Sequence, residues 1–221
     1  MTDTANTAEI DRVLTQFRTP VRNIPFPTVV RAMADKAVIP IDTADPRDAA
    51  LIASLSLAAK AVAAAVRADP IRRNRPNEVG NDIEPFVMTA ARSCGLRAER
   101  PRSAGGHART TGYPDLLVHD GDGRPTYLEC KIFGDGSALT TMRSFYLSPS
   151  DQFKVSIDAR HLLLAFSVVR EPISDSRDSF YIPVAYKLID LHGLTCDVKY
   201  EFNADNRRLY APGMILAGDK V

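Results

Sequence analysis

A mixed α/β fold is what this chain of 221 residues predicts. Three observations carry the prediction. Apolar residues recur at helical spacing before Gly95, short apolar segments of strand length follow it, and residues 161–169 form the unbroken apolar run expected of a central strand covered on both faces.

Taken in order, the pattern predicts a first helix over Ala8–Phe17, then a proline-punctuated stretch from Pro20 to Pro27. An alanine-rich helix follows from about Arg47 to Arg67, ended by Asp69-Pro70. Within it, residues 49–66 are apolar enough to raise the question of a membrane, but Ser54, Ser56 and the central Lys60 argue for a helix buried in a core or subunit contact. The basic segment IRRNRPN, residues 71–77, marks a change of composition, and the expected boundary lies near residue 75: an N-terminal helical region over 1–75, a chemical core over 76–221. From Pro76 to Gly95, Val79, Ile83, Phe86, Val87, Ala90, Ala91 and Cys94 keep helical spacing, with Gly95 as the stop. Pro85 either kinks this helix or sits in its first turn.

Residues 115–118 and Thr126–Phe133 read as two strands joined by the turn cluster HDGDGR, a hairpin. Asp120-Gly-Asp-Gly resembles part of a calcium loop but lacks the other ligands, so a turn is the expectation. Ser148–Ala159 reads as a helix capped by Ser148 or Ser150. Two further strands are expected over Phe180–Leu188 and Leu194–Phe202.

With 45% hydrophobic and 25% charged residues and a formal net charge of +1, the chain has globular composition and is no polycation, so any nucleic-acid surface must be local. Cys94, Cys130 and Cys196 have no CxxC spacing, which excludes a disulfide framework and a zinc ribbon and fits thiols in a reducing cytoplasm. His107, His119, His161 and His192 form no metal pair; His161, heading the apolar run, reads as a hydrogen-bonded core histidine. The polar, acidic N-terminus does not read as a secretory signal.

The chemistry concentrates in GYPDLLV, residues 112–118, and YLECKIF, residues 127–133. Asp115 stands at the mouth of the first strand. Glu129 and Lys131, two apart, share one face of the second, while Leu128, Cys130 and Ile132 point into the core. Two carboxylates and the Cys130 carbonyl are hard oxygen ligands suited to Mg²⁺, and an ammonium beside them can orient a water and stabilise charge on a phosphate.

Pro114-Asp115 followed by Glu129-Cys130-Lys131 resembles the PD-(D/E)xK nuclease motif on the hairpin where that family carries it. The resemblance covers about residues 76–170. It implies a restriction-endonuclease-like mixed β-sheet flanked by helices, and Mg²⁺-dependent hydrolysis leaving 5′-phosphate and 3′-hydroxyl ends. It also implies Asp115 and Glu129 as metal ligands with Cys130, Lys131 as the water-positioning residue, and a glutamate from the preceding helix, for which Glu84 is chosen and Glu78 held in reserve.

Between helix and hairpin, residues 97–109 carry Arg97, Arg100, Arg102, Ser103, His107 and Arg109 in a segment loosened by Gly105 and Gly106. This loop is the expected double-stranded DNA contact. Arg143 and Tyr146, in residues 140–150, are second-tier contacts; Arg72, Arg73 and Arg75 form a weaker basic patch. Lys154 and Arg160 read as either phosphate ligands or helix-face charges, the latter favoured. No helicase, methyltransferase or P-loop motif is legible, so the expected function is a type II restriction endonuclease that works without a nucleotide cofactor. It would cut both strands as a homodimer, with the N-terminal helices as subunit contacts. The alternatives are a structure-specific or repair endonuclease, of Holliday-junction or mismatch-nicking type, and a non-catalytic DNA-binding protein on the same fold.

Overall fold

The computed structural model describes residues 3–103, 105–106, 112–134, 145–149, 152–200, 205–209, 211–212 and 215. The chain divides into two compact units, Pro25–Leu194 and the paired ends Met1–Ile24 with Thr195–Val221.

The larger unit holds helices α2 (Phe26–Ala34), α3 (Pro46–Ala68) and α4 (Pro76–Ser93), and a six-stranded sheet. Its strands are β2 (Ile71–Arg73), β3 (Arg97–Glu99), β4 (Leu116–His119), β5 (Pro125–Gly134), β6 (Arg160–Pro172) and β7 (Ser179–Asp190), in the order β2-β7-β6-β5-β4-β3. Only the β5–β6 pair is parallel; the other four are antiparallel. The mixed sheet flanked by helices is therefore as expected.

Helix α3 starts where Asp45 caps the Arg47 amide at 2.8 Å and Pro46 occupies the first turn. It is long and apolar enough to cross a membrane by length and composition. Here one stripe, Leu51, Leu55, Ala58, Ala59, Val62 and Val66, is buried in a core shared with α4 and the sheet. In that shared core α3 and α4 bury their apolar faces together. Helix α4 closes at Gly95, whose φ of +84° suits a residue without a side chain. Pro85 lies in mid-helix, not in the first turn.

The hairpin is present. Leu116 pairs with Leu128 and His119 with Pro125, and the Asp120 side chain closes the turn by accepting from the Asp122 and Arg124 amides. Asp120 also pairs with Arg124 at 2.6 Å, which consumes the carboxylate that a calcium loop would need. Strand β6 runs along β5 with nearly every residue from Arg160 to Val169 buried, as the apolar run requires.

Three expectations fail. No helix forms among the described residues of 148–159; residues 152–158 follow an irregular path because the Ser156 amide donates to the Tyr127 hydroxyl at 2.9 Å, a long-range bond that no helix supplies. Arg97–Glu99, expected in a flexible loop, is an edge strand on β4. The strand expected over Leu194–Phe202 shrinks to β8 (Thr195–Cys196).

In the other unit, α1 (Asp3–Gln16) begins before the expected Ala8. There, β1 (Ile24–Pro25) pairs with β8, Phe17 stacks on Tyr200, and Asp197 accepts from the Asn23 amide at 2.9 Å. A short helix, α5 (Asn206–Leu209), completes the described elements.

Candidate active site

Asp115 lies one residue before β4, and the hairpin register sets it against the middle of β5. There its Oδ2 accepts from the Cys130 amide at 2.8 Å. That bond fixes the carboxylate beside Glu129, whose Oε1 pairs with the Lys131 ammonium at 2.6 Å. The period of two puts Glu129 and Lys131 on one face, as expected, but that face is not open. Tyr127, on the same face, joins Tyr113, Phe26, Phe153 and His161 in an aromatic cluster. Glu129 is consequently 3% exposed, which no solvated strand face would show. Leu128 and Cys130 are buried in the core on the opposite side, with Ile132 packed against them.

Helix α4 brings Glu84, also buried, to the same place; Glu78 is exposed in the first turn. Of the two glutamates considered, Glu84 is the one that feels Asp115. Its carboxyl is pushed up to about 7 by burial and by the Asp115 charge, against Arg100 at 3.7 Å. Glu129 is likewise pushed up to about 7, by burial and then by Asp115, and burial raises Asp115 too. Burial draws the Lys131 ammonium down, but the Glu129 carboxylate outweighs it and holds the amine above its ordinary value. Burial raises all three acids and the Asp115 charge raises Glu84 and Glu129 further, a strain that a bound cation would relieve.

The donor set fits a hard divalent ion. Among the described residues no three His, Cys, Asp or Glu side chains are grouped tightly enough to hold a metal alone. Asp115, Glu129 and the Cys130 carbonyl are all oxygen donors, however, and Glu129 Oε2 is buried without a hydrogen-bond partner. An orphaned buried carboxylate oxygen is costly unless something positive meets it.

Other predicted residues divide. Arg100 is exposed beside the site, against Glu84, and Arg102 and Tyr146 are exposed as well. Ser103, expected to touch DNA, is buried and hydrogen-bonded to the Gln152 side chain at 3.3 Å, a link that holds the loop. His107, Arg109 and Arg143 lie outside the described residues. Arg72 and Arg73 are paired with Asp178 at 2.8 Å and Asp82 at 2.6 Å, which weakens their claim on phosphate. His161 is the core histidine expected. It is fully buried, its Nδ1 lies 2.6 Å from the Tyr113 hydroxyl, and burial draws its pKa down to about 3.

Two residues, favoured as helix-face charges over phosphate ligands, are not on a helix face. Arg160 is buried and pairs with Asp48 at 2.8 Å, a structural contact. Lys154 is 3% exposed and faces Asp115, Glu129 and Glu84. The available signal was its setting between Phe153 and Val155, apolar neighbours on both sides that mark a buried stretch.

Comparison with known proteins identifies the family. The chain matches the model of the type II restriction enzyme MjaV family over residues 20–213. It is 33% identical to the type II restriction enzyme MjaV of Methanocaldococcus jannaschii over 231 aligned positions, covering 98% of this chain and 97% of that one. No solved structure matches. A match of this extent takes in the whole hairpin with its acids and amine: the chain belongs to the type II restriction enzyme MjaV family.

Proposed function

We propose that this type II restriction endonuclease hydrolyses both strands of a specific double-stranded DNA site with Mg²⁺, leaving 5′-phosphate ends, as a homodimer without a nucleotide cofactor. The observation that carries the reading is the convergence of Asp115, Glu129 and Lys131 on one hairpin, with a Glu129 oxygen left unpartnered. Asp115, Glu129 and the Cys130 carbonyl would hold the ion, which supplies Lewis-acid stabilisation of the phosphate and leaving oxygen. Asp115 is held for this by the Cys130 amide, and Glu129 by Lys131. The Lys131 ammonium orients the attacking water. Water oxygen bonds to phosphorus, the bond to the 3′ oxygen breaks, and that oxygen takes a proton to become the 3′-hydroxyl. Glu84 adds negative charge at the edge, and the N-terminal helices supply the subunit contacts.

Incubating the protein with a sequenced plasmid and Mg²⁺, then mapping the ends, tests this. Discrete fragments sharing one sequence at their ends are expected from the wild type and none from Asp115→Ala. Cutting confined to branched or mismatched duplexes would point instead to a structure-specific nuclease, and cutting by Asp115→Ala would remove the proposed site.

A further inference from the structure

Lys154 has no part in the nuclease motif, yet its segment is built against that motif from two sides. Phe153 stacks on Tyr113, two residues ahead of Asp115, with ring centroids 6.5 Å apart. Ser156 donates its amide to Tyr127, two residues ahead of Glu129. Gln152 is tied to Ser103. Lys154, between these anchors, is thereby held beside both acid-bearing strands, and it faces Asp115, Glu129 and Glu84.

We propose that Lys154 is a second catalytic amine, whose ammonium contacts a non-bridging oxygen of the scissile phosphodiester; the proposal rests on the active site described above. A lysine that merely neutralised the acids would sit against one of them, as Lys131 sits against Glu129 at 2.6 Å. Among the described residues Lys154 forms no ion pair and no hydrogen bond, although it is 3% exposed. A lysine this enclosed whose ammonium is paired with no carboxylate is costly, and a ligand that brings an anionic oxygen to it relieves that cost. The charge balance agrees. Two ammonium groups and the Arg100 guanidinium against three carboxylates leave the site close to neutral, and a divalent cation then makes it positive, ready for the negative charge of a phosphodiester. Lys131, engaged with Glu129, serves the water; Lys154 is the amine still free for phosphate.

The test uses the full chain with K154M, K154R and D115N. Single-turnover cleavage at saturating DNA should slow about 100-fold in K154M, the loss typical of removing one donor to a developing oxyanion, and recover in part in K154R. Binding without divalent ion provides the second readout. Affinity for a duplex with an ordinary scissile linkage is compared with affinity for one carrying a neutral methylphosphonate there. Wild type should favour the charged linkage about tenfold more than K154M does, since repulsion from the carboxylates is common to both proteins and cancels in the cycle. Equal linkage preference in the two proteins, or K154M cutting within about threefold of wild type, overturns the proposal. K154Q gives the same two readings if K154M does not fold. Cleavage by D115N at the wild-type rate would instead sink the site itself, whereas an inactive D115N beside an unaffected K154M would sink the Lys154 assignment alone.

Discussion

At the scale of single residues, the chemistry turns on how close like charges have been brought. Glu84 and Glu129 both stand near 7 instead of their ordinary 4.5, because burial and Asp115 disfavour their charged forms. The folded protein therefore keeps protons that the unfolded chain has already released above pH 4.5. The sign follows: stability of the metal-free protein falls as pH rises from about 4.5 through 7 and levels off beyond. Asp115→Asn, by removing the repulsion, should raise metal-free stability at pH 8 by ~1–2 kcal/mol in urea unfolding while abolishing cleavage. Protons and metal compete for the same oxygens, so the acidic limb of the cleavage–pH profile should move to lower pH as Mg²⁺ is raised. A limb that stays fixed across a hundredfold range of Mg²⁺ would contradict ligation by these acids. Lys131→Ala should keep sequence-specific binding and lose cleavage by about 100-fold or more; parallel loss of both would contradict a role confined to the water. These three residues were legible from sequence because an alternating strand and a tight turn determine their mutual position with few long-range contacts.

At the scale of elements, a buried charge network ties the start of α3 to the hairpin turn and to β6. Asp48 Oδ1 meets Arg124 and Arg160, each at 2.8 Å, and Oδ2 accepts from the Asp42 amide at 2.9 Å. Asp48→Asn should destabilise by about 3 kcal/mol, since the shielded Arg160 guanidinium loses this counter-charge while Arg124 keeps Asp120. The exposed Arg47–Asp45 pair should matter far less, and Arg47→Ala offers the control in the same denaturation series. None of this network was visible in the pattern of residues. Arg160 is without its Asp48 partner until α3, the turn and β6 are assembled. The segment 152–158 failed for a related reason. Its polar and apolar residues suit a helix locally, but the bonds to Tyr127 and Ser103 and the stacking on Tyr113 come from elsewhere in the chain and prevail over local propensity.

For the whole molecule, a chain with almost no net charge must bind DNA through a local basic surface, and Arg100 beside Glu84, with the exposed Arg102 two residues on, is the candidate. Arg102→Ala should weaken binding to all sequences alike and reduce the slope of log affinity against log salt by about 1, as fluorescence anisotropy across a salt series would record. An unchanged slope would take Arg102 off the phosphate backbone. Cleavage of both strands needs two copies of a site that cuts one, so sedimentation should find a dimer. A monomer that only nicks would contradict the proposed assembly.

By itself the sequence determined the class of fold, the hairpin, the three charged groups on it and the helix that follows residue 76, all set by periodicity, turns and neighbours in the chain. Tertiary structure alone decided that Glu84 and not Glu78 reaches the site, that Ser103 and Arg160 are internal links, and that Lys154 faces the acids. The physical reason is that burial and electrostatic company are properties of groups distant in sequence. A lysine or glutamate carries no mark of its surroundings until the sheet and helices close around it.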